Sequence, residues 1–229
     1  MTVHVIATGG TISSHWDGSA WHNLDGHTLV AELEQAQPGL TRDVEVTDVA
    51  AGPSSNLSLA DMYGIAGRVA DALDAGATGV VVVHGTDTIE LTAFATQMVL
   101  GTTATRRPVV FTGSMRVHSH PAPDGPRNLV DAITVASSEA AIGREVLVCM
   151  DGRLHAADRV RKRDASSMDA FDSGPLPAVG SVAGGVVAFA VRAQSRDALG
   201  RVDPRRLPLV PLVLCAPGLD ADAVTASLG

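Results

Sequence analysis

The sequence predicts an α/β fold, a doubly wound and mainly parallel sheet flanked by helices. Three observations point there. Short valine-rich runs recur along the chain, each bounded by glycine or polar residues. Amphipathic stretches of helical length lie between them, and aromatic residues make up only 3% of a chain rich in Gly, Ala and Val. Strands covered on both faces read as near-continuous apolar runs, and strand–helix alternation favours parallel pairing.

Strands are expected over Val3–Ala7, Val44–Val49, Gly79–Val83, Val109–Thr112 and Val146–Met150, where β-branched residues fit a pleated surface. Helices are expected over His27–Gln37, Leu59–Ala75, Ile89–Leu100 and Asn128–Ala141. Ser58 with Asp61 three residues on has capping-box spacing at the start of the second helix, and Gly76 marks its end. Residues 151–183 are polar and turn-rich, and Gly184–Val191 forms one more apolar run. The stretch from Arg192 to Pro208 carries Arg192, Arg196, Arg201, Arg205 and Arg206 with two prolines, and reads as a linker. A strand over Leu209–Cys215 and a short helix over Ala221–Leu228 would follow. The expected organisation is a catalytic α/β domain over 1–191, a linker over 192–208, and the beginning of a second, smaller domain over 209–229 that is largely absent from the chain.

The 229 residues, 45% hydrophobic and 18% charged, suffice to bury a full core. A net charge of −8, from 25 acidic against 17 basic residues, disfavours a nucleic-acid surface. The start Met1-Thr2-Val3-His4-Val5-Ile6 lacks a charged segment leading into a long apolar stretch, so no secretory signal is read. No window approaches the ~18 uninterrupted apolar residues of a membrane span. Cys149 and Cys215 both sit in apolar runs and read as small buried hydrophobes in a reducing compartment. A cytoplasmic location is the expectation.

In open parallel sheets, ligands bind beyond the carboxyl ends of the strands. The first strand is followed by Thr8-Gly9-Gly10-Thr11, the third by His84-Gly85-Thr86-Asp87-Thr88 and the fourth by Gly113-Ser114-Met115-Arg116. Glycine lets backbone N–H groups approach a ligand closely, while hydroxyls offer attack or hydrogen bonding. Neither nucleotide-binding glycine pattern, G-x-x-x-x-G-K-[ST] or G-x-G-x-x-G, is present, nor is the G-x-S-x-G elbow of serine hydrolases.

Thr8-Gly9-Gly10-Thr11-Ile12 and His84-Gly85-Thr86-Asp87-Thr88 resemble the two signature motifs of the bacterial-type L-asparaginase family. Gly113–Arg116, Asp124-Gly125-Pro126-Arg127-Asn128-Leu129, and Val146–Phe171 with Asp151-Gly152 and Lys162 are similar to the segments that follow in that family. The resemblance implies an amidohydrolase that converts L-asparagine to L-aspartate and ammonia, with L-glutamine as an alternative substrate. It implies no metal or other cofactor, no nucleic acid or membrane partner, and a homo-oligomer, dimer or tetramer, at full length. By the same resemblance Thr11 is the nucleophile, and Thr86, Asp87 and Lys162 form a second catalytic cluster. Ser54 and Asp87 hold the substrate's α-carboxylate and α-amino group, and Gly10, Ser55, Gly85, Thr86 and Ser114 line the same pocket. The family's lid segment supplies a tyrosine; here Ser13–Asp25 carries Trp16 and Trp21, and His15 or His22 are the candidates to act in its place. In the family a smaller carboxyl-terminal domain completes a neighbouring subunit's site, so the 229-residue chain alone is expected to have little activity.

The chemistry is compatible with these assignments. A threonine hydroxyl needs a neighbouring base, and Lys162 can serve directly or through other hydroxyls when its amine is neutral; Arg159, Arg161 and Arg163 favour that form and Asp87 opposes it. N–H groups of the glycine turns would meet the oxyanion formed at the amide carbon. Other roles stay open. Thr86 and Asp87 also suit a helix N-cap, Lys162 a solvated loop, and Ser54 and Ser55 an ordinary Gly-Pro turn. His118-x-His120 with Asp124 fits no zinc spacing, and His84 reads as a packed histidine. Two other jobs suit the same fold: an ammonia-releasing subunit of an amidotransferase, or a catalytically weak amino-acid-binding domain.

Overall fold

The computed structural model describes residues 2–49, 52–101, 106–191 and 197–208, with residues 220, 222, 225 and 226. An eight-stranded sheet runs through the molecule. Its parallel part comprises β1 (Val3–Ala7), β4 (Val44–Asp48), β5 (Gly79–Val83), β6 (Val109–Thr112) and β7 (Leu147–Met150), in the order β4-β1-β5-β6-β7. Beyond β7 the sheet turns antiparallel through β8 (Arg153–Ala156), β11 (Gly180–Ala183) and β12 (Val186–Phe189). Two small hairpins stand apart from it: β2 (Ser14–Trp16) with β3 (Trp21–Asn23), and β9 (Arg161–Lys162) with β10 (Phe171–Asp172).

Side chains alternate across each strand, so one run serves two cores. Val3, Val5 and Ala7 of β1, with Val81 and Val83 of β5, face α1 (Gly26–Ala36) and α4 (Gly125–Ala136). Ile6, with Val80 and Val82, faces α2 (Leu59–Asp74) and α3 (Ile89–Leu100) on the other side. Buried Met62, Ile65, Ala66, Val69 and Leu73 form the apolar stripe of α2. Leu29, Val30 and Leu33 do the same for α1, and burying each contributes about 1.5–3 kcal/mol. The expected mainly parallel sheet with helices on both faces is present.

Several boundaries shift for local reasons. The helix expected from Asn128 begins at Gly125, with Pro126 in its first turn, and ends at Ala136; Ser137 bonds back to Ile133 O, and Glu139–Ala141 is a separate 3-10 turn. The expected capping box at Ser58 and Asp61 is made in both directions. Residues 151–183, read as turn-rich, contain β8 to β11. Asp151 and Gly152 at φ 47° and 71°, and Gly184 and Gly185 at φ 56° and 80°, form the two-residue turns that fold this segment into antiparallel hairpins. The run Gly184–Val191 accordingly yields only β12. Residues 197–208 lie against α2 and α3: Leu199 N–H donates to Met98 O, and Arg201 pairs with Asp71 and Asp74. The strand expected over Leu209–Cys215 and most of the helix over Ala221–Leu228 lie outside the described residues, as does Cys215. Cys149 is buried within β7, where burial pushes its thiol up. No helix among the described residues is long and apolar enough to cross a membrane.

Chain order places a switch point between β1 and β5, because the chain leaves β1 for β4 on one side and returns to β5 on the other. A crevice opens at the carboxyl ends there. The loops that leave the two strands touch through backbone. A Cβ on Gly10, at φ 95°, would lie 2.5 Å from Gly85 Cα and 2.7 Å from Gly85 N. Gly10→Ala is therefore expected to cost about 1–3 kcal/mol from strain alone, with the clash added. Gly18 has a similar φ of 99° but open space around it, so Gly18→Ala isolates the conformational part. Thermal unfolding should rank Gly10→Ala well below Gly18→Ala; equal midpoints would contradict the loop contact.

Two buried histidines set a pH dependence. Burial holds His84 down at about 4, and burial with Arg153 nearby holds His155 at about 4, against an ordinary 6.5. Between pH 6.5 and 4 the unfolded chain takes up these protons and the folded chain does not, so stability falls as pH drops through that window. The loss between pH 7 and 4.5 should be about 2 kcal/mol per imidazole. Urea unfolding at the two pH values measures it, and His155→Leu should remove its share. A stability that does not change with pH across this window would contradict the assignment.

Candidate active site

The crevice holds a cavity of about 240 Å³ lined by Gly10, Thr11, Ser14, Asn23, Gly52, Pro53, Ser54, Gly85, Thr86 and Asp87. Three loops build it. The first leaves β1, where Thr8 anchors it by donating both its N–H and its hydroxyl to Val83 O, each at 2.9 Å. Gly9 and Gly10, both at positive φ, then turn the chain into a 3-10 turn over Thr11–Ser13. The second leaves β5, and the third is the 3-10 turn Ser54–Asn56. Gly85 has no room for a side chain, because its Cβ would meet Ser54 Cβ and Oγ, both at 2.7 Å. The Thr88 hydroxyl donates to Ser54 O at 2.9 Å and ties the second loop to the third. Thr88 is also the residue that precedes α3, so the N-cap position belongs to it and leaves Thr86 and Asp87 to face the cavity.

Lys162 reaches this group from β9. Its amine donates to Thr86 Oγ1 at 2.8 Å and to Asp87 Oδ1 at 2.6 Å, while its backbone N–H donates to Glu90 Oε2 of α3. The lysine side chain is largely covered and the Asp87 side chain is 61% exposed, so the carboxylate presents itself to the cavity. Two of the neighbouring arginines turn elsewhere: Arg163 pairs with Asp169 and Asp172, and Arg159 with Asp158. The carboxylate bonded to the Lys162 amine is that of Asp87. A hydroxyl bonded to an amine on one side and open to a cavity on the other can pass a proton between them.

The expected site residues are distributed unevenly. Gly10, Thr11, Ser54, Gly85, Thr86 and Asp87 all line the cavity, and Lys162 supports it from behind. Ser55 is exposed and outside the lining. Ser114 is buried, its hydroxyl spent on Arg116 O, and it too is outside the lining. Neither histidine considered in place of a lid tyrosine lines the cavity: His15 contacts His118 at 3.2 Å, and His22 contacts Asp17 at 2.6 Å. Instead Ser14 and Asn23, facing each other across the β2–β3 pair, do so. Sequence reasoning missed both, although two-residue alternation in a hairpin would have put them on one face. Trp16 and Trp21 meet in a tilted ring contact, centroids 5.5 Å apart, toward the exposed end of that hairpin.

The His118–His120–Asp124 group is spent on local bonds. His118 bridges His15 and Glu32, His120 accepts from Ala122 N–H, and Asp124 accepts from Met115 and Arg116 N–H. Among the described residues no group of three metal-type side chains gathers. A larger cleft of about 370 Å³ opens at the opposite end of the sheet, beside Thr2, His4 and Gly76, and holds none of the motif residues.

Comparison with known proteins identifies the family and the fold. The family model described as Asparaginase, N-terminal, matches residues 2–195. A glutamyl-tRNA(Gln) amidotransferase component from Halobacterium salinarum is 34% identical over an alignment covering 100% of this chain and 57% of that protein. Probable L-asparaginase 4 of Schizosaccharomyces pombe is 32% identical over 79% of this chain and 51% of its own. The chain thus spans about half the length of these curated relatives. Among solved structures, the probable cytoplasmic L-asparaginase of Campylobacter jejuni superposes with a TM-score of 0.82 at 27% identity, over 99% of this chain and 70% of that one. The thermostable L-asparaginase of Thermococcus kodakarensis gives 0.83 at 27%, over 99% and 67%. The motifs, the sheet and the loops at its switch point agree on one assignment: the chain belongs to the asparaginase family.

Proposed function

We propose that the chain carries the nucleophile-bearing part of an L-asparagine amidohydrolase. The observation that carries the reading is the sharing of one cavity by Thr11, Thr86 and Asp87, with the Lys162 amine bonded to the last two. Thr11 Oγ attacks the side-chain amide carbon, and its proton passes to a base and on to the leaving nitrogen, which departs as ammonia. Water then opens the acyl ester and releases L-aspartate. Thr86 with Lys162 supplies a proton path, Asp87 receives the substrate's α-ammonium, and Ser54 meets its α-carboxylate. A cavity of about 240 Å³ suits a small amino acid. L-Glutamine, one methylene longer, is discriminated by pocket shape. The protein works without a cofactor, in the cytoplasm, and at full length as a homo-oligomer, dimer or tetramer.

Ammonia release from L-asparagine by the full-length gene product tests this directly. Thr11→Ala and Thr86→Ala should each lower kcat by ~10²–10⁴ without unfolding the protein. Turnover that survives Thr11→Ala would reject the nucleophile. The 34% identity to an amidotransferase component over the whole chain favours a second reading, in which the same site releases ammonia within a transfer complex. Ammonia release that appears only on adding a partner protein would select it. Calorimetric binding of L-aspartate without turnover under either condition would instead indicate an amino-acid-binding domain.

A further inference from the structure

His84 is fully buried, and one of its nitrogens bonds nothing among the described residues. Its Nδ1 lies 2.7 Å from Gly85 O, and its Nε2 finds no partner among the described residues. A carbonyl only accepts, so Nδ1 carries the proton and Nε2 is a bare, buried lone pair. Such a group is destabilising compared with an apolar side chain of similar size. Burial keeps the ring neutral at working pH, holding it at about 4. Packing alone would be better served by leucine, since the ring already neighbours Phe111 at 6.1 Å.

The bond that is made lies at a critical peptide. Gly85 C=O and Thr86 N–H belong to one planar trans unit and point in opposite directions. Holding the carbonyl against the buried imidazole sends Thr86 N–H the other way, and no backbone carbonyl among the described residues accepts it. Gly85 must be glycine because Ser54 crowds it at 2.7 Å, and glycine leaves the following peptide free to rotate. The first loop solves the same problem locally, where Ser13 N–H and Ser14 Oγ both donate to Gly10 O. The second loop also turns, over Thr86–Thr88, but among the described residues no backbone N–H bonds Gly85 O there, and the histidine takes that place.

We propose that His84 is a positioning residue: its Nδ1–H locks the Gly85–Thr86 peptide so that Thr86 N–H is presented to the cavity as a donor for the oxyanion. The proposal rests on the amidohydrolase reading. Its test separates stability from turnover. His84→Leu removes the donor and the unpaired nitrogen together, so the melting temperature should hold or rise while kcat falls ~10- to 100-fold with KM within about twofold. His84→Asn puts an amide N–H at the Nδ1 position and buries a new carbonyl, so it should melt lower yet recover most of kcat. A residue that only packs would lower activity and stability in step, and that pattern overturns the proposal. Backbone ¹⁵N relaxation at Thr86 gives a readout that needs no turnover: its order parameter should drop in His84→Leu and return in His84→Asn. An unchanged order parameter in His84→Leu refutes the positioning role. If the protein releases no ammonia, the functional reading fails while the relaxation result still decides whether His84 holds the peptide.

Discussion

Contact between two glycines organises this molecule's chemistry. Gly10 and Gly85 meet backbone to backbone where β1 and β5 part, at a distance that no side chain would tolerate. That approach brings loops 75 residues apart within reach of one small cavity and places a hydroxyl from each on its wall. Gly85 repeats the device against Ser54, so a third loop closes on the same spot. The parallel strands set where the loops begin, and the absence of Cβ atoms sets how near they come.

The second layer is electrostatic. Lys162 arrives on a two-residue strand and is held by Thr86 and Asp87 together. Its backbone N–H bonds to Glu90, so the start of α3 and the β9–β10 hairpin are fixed to each other through the lysine. Nearby Arg159 and Arg163 are answered by Asp158, Asp169 and Asp172, and Asp87 is the carboxylate bonded to the amine. Its other face is open to the cavity, where a cationic group of a ligand would compete with Lys162 for the same carboxylate.

Legibility in the sequence followed physical locality. The buried parallel strands were readable because valine runs such as Gly79–Val83 need to be apolar on both faces. Helix ends were readable where a side chain makes the cap, as at Ser58, and less so where proline and serine shift it, as at Gly125 and Ser137. The antiparallel edge was signalled by Asp151-Gly152 and Gly184-Gly185 but masked by the polar, half-exposed residues between them. For the site, motif glycines and hydroxyls carried the information. Which threonine faces inward followed from the family resemblance and not from residue type or spacing alone. Thr8 and Thr112 spend their hydroxyls on the carbonyls of neighbouring strands and Thr88 on Ser54, which leaves Thr11 and Thr86 for the cavity. Ser14 and Asn23 depend on pairing across a hairpin whose strands are three residues long, too short to stand out from a loop.

A crystal structure of the protein grown with L-aspartate puts this convergence to the most direct trial. The side-chain carboxylate should lie between the Thr11 and Thr86 hydroxyls, the ammonium on Asp87 and the α-carboxylate at Ser54. Electron density for the amino acid anywhere else on the molecule, with the switch-point cavity holding only water at saturating ligand, would contradict it.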